Sequence, residues 1–81
     1  MKIVAEIPNG HFKTTIYAWN NKYLIKYEAE LFEQTYKVSQ MDVTSEEDVK
    51  KLATNPIFLN TVEARFESMA KDFFGQLNEL F

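Results

Sequence analysis

The residues of this chain most able to do chemistry are few, and they are scattered. His11 is its only histidine, and the hairpin register set by the turn signals extends to put it across from Glu30. A carboxylate beside an imidazole fixes its tautomer and raises its basicity, which is a general-base arrangement. It is also the look of an ordinary surface pair, and no nucleophile is specified beside it. With no cysteine in the sequence, thiolate zinc sites, Cys nucleophiles and disulfides are excluded together. One imidazole near Glu28 and Glu30 matches no metal-ligand spacing. Glycine-rich phosphate loops, nucleophile elbows and EF-hand loops are also missing. The expectation is a non-enzymatic protein with no cofactor and no metal.

A second constellation is cationic and aromatic. Lys13, Tyr17, Trp19, Lys22 and Lys26, with His11, form a possible ligand face on which bases of a single nucleic-acid strand could stack while lysines neutralise phosphates. Glu6, Glu28 and Glu30 interleave with those lysines, as on a plain solvated sheet. The net charge of -3 also argues against binding driven by counterion release. Residues 1 to 43 carry five Lys against five acids, whereas residues 44 to 81 carry four basic against seven acidic side chains. Nucleic-acid binding is therefore the alternative reading.

The third constellation is apolar. From residue 56 to the end, Phe58, Leu59, Val62, Phe66, Met69, Ala70, Phe73, Phe74, Leu77, Leu80 and Phe81 fall within an arc of roughly 160° at helical spacing. A helix lying on a sheet needs a stripe of a little over 100°, so this one offers surplus apolar width. A short preceding helix could cover the surplus through Val49, Leu52 and Ala53. Otherwise a second copy or another protein covers it, with Phe58, Phe74, Leu77 and Phe81 as interface candidates and Phe66 and Phe73 nearer the core. Met69, Phe73 and Phe74 could also line a ligand pocket, although such residues at helical spacing are more often core.

The elements that must position these residues follow from turn chemistry. At 81 residues the chain supports one domain with one core, rich in its seven Phe and four Tyr. Its first residues are too few and too interrupted by Glu6 for a signal peptide or a spanning helix; a cytoplasmic protein with no membrane association is expected. Asn9-Gly10 suits a two-residue type I′ turn, and Asn20-Asn21 is a second such signal. By counting, Ile7 then faces Phe12, Ala5 faces Thr14 and Ile3 faces Ile16. Across the second hairpin Ala18 faces Tyr23, Ile16 faces Ile25, Thr14 faces Tyr27 and Phe12 faces Ala29. The opposite face places Lys13 between Glu6 and Glu28, Lys2 beside Tyr17 and Trp19 beside Lys22.

After Leu31 the alternation changes phase. Phe32, Tyr36 and Val38 face in, with Glu33, Thr35, Lys37 and Ser39 facing out, as a fourth strand or as a bulged continuation of the third. Thr44-Ser45-Glu46-Glu47 has capping-box spacing, with Thr44 as cap of a helix ending near Ala53. Asn55 and Pro56 cap and start a long helix. Gly75 within it either admits another backbone or ends the ordered helix. The fold class expected is α+β: an antiparallel β-meander of three to four strands, a short helix, and a long C-terminal helix on one sheet face. The leading functional expectation is a small protein-interaction module, self-associating as a homodimer through that helix.

Overall fold

A computed structural model describes residues 1–81 as a four-stranded antiparallel sheet followed by two helices, in the order β1 (Lys2–Asn9), β2 (Phe12–Trp19), β3 (Lys22–Ala29), β4 (Phe32–Ser39), α1 (Glu46–Ala53) and α2 (Pro56–Leu80). The strands lie in sequence order, so the sheet is an up-and-down meander with β1 and β4 at its edges.

The middle hairpin follows its turn signal. Asn20 and Asn21 both adopt positive φ, 52° and 62°, the geometry that the right-handed strand twist favours in a two-residue turn. Ile16 pairs with Ile25, Thr14 with Tyr27, Lys13 with Glu28 and Trp19 with Lys22. The third connection is another two-residue loop, Glu30-Leu31, and Ala29 pairs with Phe32. The phase change after Leu31 is thus a separate fourth strand rather than a bulge.

The first hairpin differs from expectation. Its loop residues are Gly10 and His11, so Asn9 pairs with Phe12, Ile7 with Thr14 and Ala5 with Ile16, and Gly10 does not take positive φ. This is a slide by two residues. Such a slide preserves which side chains face the core, so the apolar pattern cannot distinguish the two registers. A bulge between Ile3 and Ala5 then reverses the alternation, pairing Ile3 with Tyr17 and Lys2 with Ala18. Ile3 accordingly leaves the core face and is 54% exposed instead of lying beside Ile16. His11, in the loop, reaches Glu63 of α2 rather than Glu30.

One face of the sheet carries the core. Phe12, Ile16, Ile25 and Tyr27 pack with Val49 and Ala53 of α1 and Val62 and Phe66 of α2. Ser45, not Thr44, caps α1, accepting from the Asp48 amide at 3.3 Å. Asp48 answers by accepting from the Thr44 amide at 3.1 Å and from the Thr44 hydroxyl. Those bonds, the hydroxyl first, lower the Asp48 pKa. The cap is thus displaced by one residue from the expected Thr44, and the reciprocal bond falls on the Thr44 amide that precedes it. Asn55 caps α2 through the amides of Ile57 and Phe58, with Pro56 at the first helical position. Gly75 lies inside a continuous helix, with nothing near where its Cβ would be.

The sheet and the helix lying on it differ in length. A helix of 25 residues is about 37 Å long, whereas strands of 8 residues span about 27 Å. The last turns of α2 must therefore run past the sheet. The molecule measures 47 × 25 × 20 Å with a radius of gyration of 14.4 Å, against about 12 Å for a compact domain of this length.

Candidate functional site

The outer sheet face gathers five of the six residues singled out as a ligand face. Lys13, Tyr17 and Trp19 on β2 alternate outward, as do Lys22 and Lys26 on β3. His11 is separated from them, in the β1–β2 loop at the helix side of the sheet. The lysines are largely committed. Lys13 Nζ lies 3.5 Å from Glu6, and Lys26 Nζ lies 3.2 Å from Glu33 and 4.0 Å from Glu28. The bond to Glu33 first, then the Glu28 charge, raise the Lys26 pKa. Thr15 and Leu24 are buried on this face even though no element covers it. Their neighbours across the strands are Glu6 and Lys26 for Thr15, and Tyr17 and Lys37 for Leu24. Such large neighbours are able to shade smaller side chains on an open sheet face.

A cleft of about 330 Å³ opens where α2 crosses the loop end of the sheet. Its floor is Phe12, Phe66 and Phe74, and its rim includes His11, Leu31 and Glu63. His11 Nε2 stands 3.9 Å from the Glu63 carboxylate, and both side chains are well exposed. Nothing beside them supplies a nucleophile, and no three His, Cys, Asp or Glu side chains group to hold a metal.

The interface candidates on α2 divide. Phe58 lies within the chain's own aromatic cluster, with ring centroids 5.9 Å from Tyr27 and 5.2 Å from Tyr36. Phe74 is half-buried, edge-on to Phe32 at 5.8 Å. Phe73, expected nearer the core, is 54% exposed, with one edge of its ring against Phe32 at 5.9 Å. Leu77 is 42% exposed and Phe81 is 97% exposed. Leu80 is exposed as well, so the last turns of α2 present apolar side chains to solvent.

One polar residue was missed by sequence reasoning. Gln34, buried in β4, donates to the Val62 carbonyl at 3.0 Å and accepts from the Tyr36 hydroxyl at 2.6 Å. Its signal was its parity: it shares the inward face with Phe32, Tyr36 and Val38. Beside it, Thr35 and the α2 residues Arg65, Ser68, Met69 and Asp72 line a groove along the free edge of β4. No helix of the structure is long and apolar enough to cross a membrane. A comparison with family models, with curated proteins and with solved structures finds no match for this chain.

Proposed function

We propose that this chain is a non-enzymatic, self-associating protein-interaction module, in which a second copy covers the overhanging end of α2. The supporting observation is surface area. The chain exposes 5866 Å², whereas a folded monomer of 9.5 kDa exposes about 5,000 Å². The excess is about 800 Å², which is what one partner contributes to a standard protein interface. Leu77, Leu80 and Phe81, on the last turns of α2, are among the exposed apolar side chains that contribute to it. Fixing an apolar helix end in water gains no burial, so packing it against another copy supplies the hydrophobic term the isolated chain forgoes.

Light scattering across a concentration range tests this. The unmodified chain is expected to show a rising mass that saturates at the dimer, and Leu77→Glu with Phe81→Glu should hold it at the monomer with its circular dichroism retained. A constant monomer mass up to millimolar concentration would remove the proposal.

A further inference from the structure

The two edges of the sheet are not alike. β1 carries Pro8 and a bulge at Val4, devices that blunt an edge against pairing. β4 is eight residues long with neither proline nor bulge. The Gln40 amide donates to the Asn21 carbonyl at 3.1 Å. Antiparallel ladders alternate bonded and non-bonded pairs, so in the β3–β4 register Gln34, Tyr36 and Val38 spend their main-chain groups on β3. The N–H and C=O groups of Glu33, Thr35 and Lys37 point to the open edge.

We infer that β4 pairs antiparallel with β4 of a second copy about a two-fold axis at Thr35, making one continuous eight-stranded sheet. This rests on the self-association proposed above and specifies its geometry. A two-fold axis perpendicular to the sheet keeps outward residues opposite outward residues, so only registers with a residue opposite itself are allowed. Centring on Thr35 puts Glu33 of each copy opposite Lys37 of the other, and each of these residues exchanges both of its main-chain bonds. Lys37 has no ion pair within its own chain.

The helices agree with the same axis. Phe58 contacts Tyr27 of β3 and Tyr36 of β4, so α2 lies over the β3–β4 pair. With strands about 4.8 Å apart, two such helices related by the axis stand about 10 Å apart, the ordinary helix packing distance. Arg65, Ser68, Met69 and Asp72 flank the β4 edge. Gln34 reaches Val62 and Phe58 packs on Tyr36, so the part of α2 beside the axis at Thr35 is the turn around Thr61, and the two helices meet antiparallel there. The same register carries Met41 of the second copy, 95% exposed in the free chain, to the sheet end where Leu77 and Phe81 project.

Sedimentation equilibrium of the full chain and its variants tests the geometry. Thr35→Pro deletes an edge N–H that the chain's own sheet does not use, a substitution edge strands tolerate. It is expected to raise the dimer dissociation constant at least tenfold with the fold retained. Glu33→Lys and Lys37→Glu are each expected to weaken the dimer alone, because each replaces two attractions by two repulsions. Mixed in equal amounts, the two variants should form a heterodimer as tight as the original, since every contact is again between opposite charges. Should Thr35→Pro fail to fold, the mixing experiment decides by itself. A dimer untouched by these variants but lost with Leu77→Glu and Phe81→Glu would overturn strand pairing while leaving the helix-end proposal standing. An unmodified chain that stays monomeric overturns both.

Discussion

The phenolic hydroxyl of Tyr27 donates to the main-chain carbonyl of Ala53, 2.8 Å away, and so ties the C-terminal half of β3 to the last turn of α1. That carbonyl is one of the orphan acceptors every helix leaves at its C-terminus, and here a buried donor satisfies it. Tyr27 has none of its surface exposed, and its ring is edge-on to Phe12, Tyr36 and Phe58.

Burial first, then proximity to Tyr36, push the Tyr27 pKa up to about 12 from 10.0. The folded state therefore holds this proton more tightly than the unfolded chain does. The associated stability is whole below pH 10 and is lost as pH rises from about 10 to about 12, amounting to roughly 2–3 kcal/mol. Urea midpoints measured between pH 9 and 11.5 should fall more steeply for the unmodified chain than for Tyr27→Phe. Equal slopes would show that this hydroxyl does not carry the effect. At pH 7 the same variant should cost about 1–2 kcal/mol, because the Ala53 carbonyl is left unpaired.

Gln34 joins β4 to α2 through two hydrogen bonds that a leucine cannot make. Gln34→Leu should destabilise the chain by about 1–3 kcal/mol by stranding the Tyr36 hydroxyl in a partly buried site. In Gln34→Leu with Tyr36→Phe the stranded hydroxyl is gone, so much of that loss should return. A double-mutant cycle in urea reads the difference, and strict additivity would sink the coupling.

Two backbone positions predict opposite signs. Gly75 is helical with open space at its Cβ, so Gly75→Ala should stabilise by about 1 kcal/mol. Asn21 sits at φ 62°, so Asn21→Ala should destabilise by about 1 kcal/mol or more while Asn21→Gly is close to neutral. Thermal melts of the three variants give the order directly, and a stabilised Asn21→Ala would contradict the turn geometry.

Phe66 is 8% exposed, with its ring 5.7 Å from that of Phe12, whereas Phe81 touches almost nothing. At concentrations low enough for a monomer, Phe66→Ala should cost about 3–5 kcal/mol. Phe81→Ala should change stability by no more than about 0.5 kcal/mol. A large loss for Phe81→Ala under those conditions would mean that the helix end folds back onto its own sheet.

The sequence by itself determined what depends on neighbours along the chain. The Asn20-Asn21 turn, the inward parity of Phe12, Ile16, Ile25 and Tyr27, and the Asn55-Pro56 start of α2 were all legible, because each is local chemistry or a two-residue or 3.6-residue period. The tertiary structure alone decided the rest. A slide by two residues leaves every β1 side chain on the same face, so only contacts across the sheet could choose the Gly10-His11 loop and the bulge at Val4. His11 meets Glu63 instead of Glu30 because α2 crosses that loop, a contact between positions far apart in the chain. The division of α2 into a buried Phe66, a half-buried Phe74 and an exposed Phe73, Leu77 and Phe81 depends on where the sheet ends beneath it. Helical periodicity says which way a side chain points, and carries no information about whether anything stands there.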